Sequence, residues 1–184
     1  MRSAPARIGS GRRRTGPAPR AVIDASIAMK WLVEEEGTAQ ALALRGAYGK
    51  LIAPDLLVPE CANVLWKKTK RGEVLPQEAR LMARLLSSAE IELVGTRSFL
   101  EAATRMAIDL DHPACDCMYL ALAMEQDCTL VTADAGFVEK VRTKGTPRMQ
   151  KSVASLSEAA GPDLRERTPP RRGRKKREGA ARGR

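Results

Sequence analysis

The chain has 184 residues, 43% hydrophobic, 29% charged and only 3% aromatic, with a formal net charge of +10. That length suits one domain with tails and can bury a core without staples, while no run approaches the roughly 18 uninterrupted apolar residues of a membrane span. Four scattered cysteines, Cys61, Cys115, Cys117 and Cys128, do not make the framework of a disulfide-stapled secreted domain, so a cytoplasmic protein is expected.

Residues 1–20 carry six arginines and no acid, too little apolar surface to offset the entropy of ordering, and are expected to be a disordered basic tail. They contain no apolar h-region, which argues against secretion. Ala21-Val22-Ile23 is a short β-branched run ending at Asp24 and predicts a buried strand. A short helical stretch follows over Ser26 to Val33, then an Ala- and Leu-rich helix over Thr38 to Tyr48, stopped by Gly49. Leu51-Ile52-Ala53 predicts a second strand, and Pro54-Asp55 opens a long helix reaching Arg71. Pro59 is tolerable there only within the first turn, where its missing N–H has no helical partner. Pro76 opens a helix through Ala89, and Ile91 to Val94 reads as a third strand. Ser98, with Glu101 three residues on, forms the pattern of a capping box for a helix to Leu110. After the break at Asp111-His112-Pro113, a helix is predicted over Ala114 to Asp127 and a fourth strand over Thr129 to Thr132. A last helix covers Gly136 to Arg142, and Met149 to Val153 is the expected fifth strand. Residues 157–184, with ten basic and four acidic residues, are expected to be a second disordered tail. The domain between the tails, 21–156, then has 16 basic and 18 acidic residues, a net of −2. The tails are either solvated ends or non-specific contacts to RNA phosphates.

Strands alternating with helices predict an α/β fold with a central, mostly parallel sheet of four to five strands and helices on both faces. Ligands in such folds bind outside the carboxyl ends of the strands. Asp24 follows a predicted strand directly and Asp134 lies at the carboxyl end of another, Asp116 falls in the first turn of its predicted helix, and Glu60 lies just after Pro59 near the start of the long helix. Singly, each has a structural explanation, as a cap or as a partner for the helix dipole. Together they point to one rim, where clustered carboxylates repel and raise each other's pKa unless a cation is present. Mg²⁺ or Mn²⁺ is the expected cation, because both favour oxygen ligands. Such a site suits phosphodiester hydrolysis without a covalent nucleophile. Cys115 and Cys117 with the single His112 do not make a zinc site, and no Gly-rich phosphate loop is present. A phosphatase of the haloacid dehalogenase kind needs an aspartate two residues after its nucleophile, where this chain has Ser26. His112 reads as a turn residue, and the Lys67-Lys68-Thr69-Lys70-Arg71 run suits the end of its helix, or guides RNA phosphates.

Four segments carry a family resemblance: Val22-Ile23-Asp24-Ala25-Ser26; Pro59-Glu60-Cys61-Ala62-Asn63-Val64-Leu65-Trp66; Asp111-His112-Pro113-Ala114-Cys115-Asp116 through Ala123; and Leu130-Val131-Thr132-Ala133-Asp134 with Phe137. In order and spacing they resemble a PIN domain over about residues 21–154, in particular the compact VapC toxins of type II toxin–antitoxin pairs. The resemblance implies a three-layer α/β/α sandwich and a Mg²⁺- or Mn²⁺-dependent endoribonuclease. It implies that Asp24 and Asp116 hold the metal, that Glu60 and Asp134 complete an acidic quartet, and that Ser26 and Thr132 are hydroxyl residues near the site. It further implies an RNA substrate, a homodimer, and a small antitoxin whose C-terminal segment covers the groove with a basic side chain. The alternative is a catalytically silent PIN-like module that binds RNA or serves as a scaffold.

Overall fold

In a computed structural model the described residues are 19–161; most of both basic tails lies outside them. Five short strands form one sheet: β1 (Arg20–Ile23), β2 (Lys50–Pro54), β3 (Ile91–Val94), β4 (Thr129–Thr132) and β5 (Val153–Ser155), in the order β3-β2-β1-β4-β5. Every pairing is parallel, with Ala21 opposite both Leu51 and Thr129, Leu51 opposite Ile91, and Leu130 opposite Val153. Nine α-helices connect and cover the strands among the described residues: α1 (Ala25–Lys30), α2 (Thr38–Ala47), α3 (Leu57–Lys70), α4 (Pro76–Ser87), α5 (Leu100–Leu110), α6 (Ala114–Glu125), α7 (Ala135–Lys144), α8 (Pro147–Lys151) and α9 (Leu156–Ala159).

Alternation along each strand divides the core between the two faces of the sheet. Ala21, Ile23, Leu51 and Val131 pack with Ile27 of α1, Ala41 and Leu44 of α2, and Leu156 of α9. Val22, Ile52 and Leu130 point the other way, into a larger core with Leu57, Cys61 and Leu65 of α3, Met106 and Leu110 of α5, and Phe137 and Val141 of α7. Helix α6 runs through this second layer, with Cys117 and every residue from Tyr119 to Ala123 buried. Its continuous apolar run is the sequence of a helix covered on all sides. The result is the expected three-layer α/β/α sandwich. Pro59 is the third residue of α3, within the first turn as its chemistry requires.

Two local expectations are overturned. Ser98 does not cap α5: a 3₁₀ turn occupies Thr96–Phe99, and the helix starts at Leu100 without a side-chain cap. The turn is held by the Thr96 N–H donating to Asp55 Oδ1 at 3.2 Å and by Phe99, which is 2% exposed. Burying that ring outweighs a cap contributing about 1 kcal/mol. Met149 to Val153 is not a strand either. Thr146 caps α8 by accepting from the Met149 N–H, Pro147 is its first residue, and β5 begins only at Val153. An N-cap threonine followed by proline is a helix start, and that signal prevails over the apolar residues after it. Helix α9 carries the chain past residue 156, with Leu156 buried.

Candidate active site

From β1 the sheet grows toward β2 on one side and β4 on the other, so the carboxyl ends of β1 and β4 flank the topological switch point, where such sheets bind ligands. Asp24 stands at the end of β1 and caps α1: its Oδ1 accepts from the Ile27 N–H (3.1 Å) and the Ser26 hydroxyl (2.6 Å). Its Oδ2 accepts from the Thr132 hydroxyl, at the end of β4, at 2.5 Å. Thr132 is 1% exposed, and its Oγ1 also accepts from the Asp134 N–H at 3.0 Å. Ser26 Oγ accepts from the Ala133 N–H at 3.0 Å. Two hydroxyls thus lace the ends of neighbouring strands around one carboxylate. Asp134 caps α7, its Oδ1 accepting from the Phe137 N–H at 2.9 Å. A Cβ on Gly136 would stand 3.2 Å from that oxygen, so the glycine leaves the carboxylate room.

Glu60, in the first turn of α3, accepts from the buried Tyr119 hydroxyl at 2.6 Å through Oε2. Asp116, in the first turn of α6, has Oδ2 2.8 Å from His112 Nε2. Burial raises the Asp24 carboxyl above its usual range; its bonds from Ser26, Thr132 and Ile27 counter this, and the charge of Asp116 adds to it. Glu60 is also raised, first by burial, against the bond from Tyr119 and with the charges of Asp116 and Asp24. Three of the four expected acids, from β1, α3 and α6, therefore share one electrostatic environment. Asp134 is exposed and joins them one step out, through Thr132. Among the described residues, no Lys or Arg pairs with any of the four.

Partly buried carboxylate oxygens without a Lys or Arg partner are the donor set a hard divalent cation takes. Among the described residues no group of three or more His, Cys, Asp or Glu side chains is so placed that it could hold a metal ion by itself. Mg²⁺ needs no such group, since it is held by one or two carboxylates plus waters and phosphate oxygens, and the donor set fits that ion. The cysteines offer no competing chemistry. All four are free, and burial pushes the Cys61 thiol up to about 12 and Cys117 up to about 11, far from a reactive thiolate.

Two polar partners of the acids, Tyr119 and His112, are not marked as such by the sequence. Tyr119 lies three residues after Asp116 on the same helix, a spacing that puts both on one face. His112, in the turn between α5 and α6, lies four residues before Asp116 and reaches it from there.

The PIN domain family profile matches residues 21–142. Among solved structures, the chain is similar to PAE2754 from Pyrobaculum aerophilum, with 20% identity and a TM-score of 0.56, covering 77% of this chain and 87% of that one. It is also similar to VapC20 of Mycobacterium tuberculosis, described as a toxin that cleaves the sarcin-ricin loop, with 12% identity and a TM-score of 0.52, covering 65% of this chain and 93% of that one. At these identities the likeness is one of fold. No curated protein sequence matches.

Proposed function

The chain belongs to the PIN domain family, and from that premise we propose that it is a Mg²⁺- or Mn²⁺-dependent endoribonuclease, the toxin of a VapBC-type toxin–antitoxin pair. The observation that supports this reading is that Asp24, Glu60 and Asp116, from three separate segments, feel one another's charge without a Lys or Arg to balance them. Asp24 and Asp116 would hold the metal, with Glu60 and Asp134 completing the quartet. When bound, the cation supplies orientation and activation of water and neutralises charge on phosphate oxygens. The protein's own contribution is preorganisation. Ser26 and Thr132 fix the Asp24 carboxylate by its two oxygens, and Tyr119 fixes Glu60 by one, so neither acid must reorient when substrate arrives.

VapC20 is described as an RNA-loop-cleaving toxin; for this chain the reading extends to RNA cleavage, not to that loop. An antitoxin placing a basic side chain among these acids would supply the missing counter-charge. Homodimer formation is supported by α4 and its N-cap, where Leu75, Leu81 and Leu85 are exposed and offer apolar surface for a second copy to cover. No helix among the described residues is long and apolar enough to cross a membrane.

The purified full chain is expected to cut RNA with Mg²⁺ or Mn²⁺, to stop when the metal is chelated, and to lose the activity in Asp24→Asn. Cleavage by D24N equal to the wild type, or intact RNA with both metals, refutes the reading.

A further inference from the structure

His112 is positioned more tightly than a turn residue requires. Its ring stacks on Phe137 of α7, with centroids 4.6 Å apart and planes 26° from parallel. Its side chain is 11% exposed, and Nε2 lies 2.8 Å from Asp116 Oδ2. A carboxylate only accepts, so Nε2 carries the hydrogen and donates. The other ring nitrogen, Nδ1, is buried without any hydrogen-bond partner. An unpaired buried polar atom costs stability, and a Phe or Leu in this slot would fill the space without that cost. The stack alone therefore does not account for an imidazole; the hydrogen bond to Asp116 does.

The loop that carries the ring is itself braced. Asp111 ends α5 in the left-handed region (φ 51°), the His112 N–H donates to Ala107 O at 3.0 Å, and Lys140 of α7 donates through Nζ to Asp111 O at 2.5 Å. Phe137, one helical turn before Lys140, is also the residue whose N–H is capped by Asp134. Helix α7 thus fixes the imidazole, and the imidazole fixes one oxygen of Asp116, leaving Oδ1 without a protein partner in any of the hydrogen bonds that hold the site.

We propose that His112 is a positioning residue for Asp116: braced by Phe137 and Lys140, it holds one carboxylate oxygen by hydrogen bond so that the other faces the divalent cation. The inference rests on the nuclease reading above. Residues that hydrogen-bond a metal-ligating carboxylate typically contribute about 10- to 100-fold to metal affinity or activity.

The test is Mn²⁺ binding by calorimetry on the chelator-treated full chain, beside thermal melts of the same proteins in chelator. His112→Phe keeps an aromatic ring against Phe137 and removes the donor. His112→Gln loses the ring and keeps an N–H at similar reach. H112F is expected to bind Mn²⁺ at least about 10-fold more weakly than wild type while melting no lower in chelator, and H112Q is expected to recover most of the affinity. A merely structural histidine gives the reverse order, since Gln cannot stack. If H112F does not fold, His112→Met, of similar length and without a donor, is measured in its place. Wild-type affinity in the donor-free variant overturns the inference alone, leaving the nuclease reading intact. A wild type that takes up no Mn²⁺ overturns both.

Discussion

Replacing Thr132 by Val keeps the shape of the side chain and removes one hydroxyl from the centre of the site. The residue is 1% exposed, so water cannot replace what is lost. Two bonds disappear: the donation to Asp24 Oδ2 at 2.5 Å and the acceptance from the Asp134 N–H at 3.0 Å. A hydrogen bond to a charged group contributes about 1.5–3 kcal/mol and one between neutral groups about 0.5–1.5. The added buried methyl returns about 0.8 kcal/mol. The net expectation for the metal-free protein at neutral pH is a loss of about 2–3 kcal/mol, equivalent to roughly 4–12 °C in melting temperature for a chain of this size. The loss must depend on pH. The Thr132 bond lowers the Asp24 pKa; without it the folded-state value rises further, so the variant loses additional stability as pH rises through that value. In acid, where the carboxyl is protonated, the bond becomes a neutral one and the penalty falls to about 1 kcal/mol. Thermal or urea unfolding of wild type, T132V and T132S in chelator, at acid and at neutral pH, measures this directly. T132S retains the hydroxyl and should lose only its methyl contribution. A T132V protein within about 0.5 kcal/mol of wild type at neutral pH, or a gap that does not narrow in acid, refutes the role given to this hydroxyl.

Three further outcomes are expected. The Asp24 pKa is raised above its ordinary 3.8 by folding, so the stability this group contributes is complete below 3.8 and is lost as pH rises through the folded value. In chelator, D24N should therefore gain stability relative to wild type from acid to neutral pH, and parallel urea-midpoint curves would contradict this. Tyr119→Phe removes the 2.6 Å bond that holds Glu60 down, so the acidic limb of the kcat/KM profile for RNA cleavage should move to higher pH; an unmoved limb removes Tyr119 from the site. Glu158, bonded through both oxygens to Arg142 at 2.7 Å and also by Ser155, is lowered to about 2. Its contribution is present above 4.5 and is lost as pH falls from there to about 2; because the pair is exposed, Glu158→Gln should cost at most about 1 kcal/mol at neutral pH in thermal melts, and almost nothing near pH 2.

Legibility followed the range of the interaction. β1, β2, β3 and β4 were readable because each is a short apolar run bounded by residues that break it. β5 has three residues, too few to show a period, and the apolar Met149 before it belongs to a one-turn helix. The Ser98–Glu101 pair has the right spacing for a cap, yet the burial of Phe99 sets the start of α5. At Ser98 a weak local preference yielded to a contact from elsewhere in the fold, and at Met149 it yielded to a stronger local one, the Thr146-Pro147 helix start.

The amino-acid order by itself determined the α/β alternation, the strand ends that carry Asp24 and Asp134, and the first helical turns that carry Glu60 and Asp116, because periodicity and caps act between residues a few positions apart. Only the tertiary structure decided that β4 lies beside β1, that Thr132 reaches Asp24 across 108 positions and Tyr119 reaches Glu60 across 59, and that the ring of His112 stacks on Phe137 of α7. Those contacts follow from sheet order and from the packing of helices on its faces, and side chains so distant along the chain leave no local pattern by which to find each other.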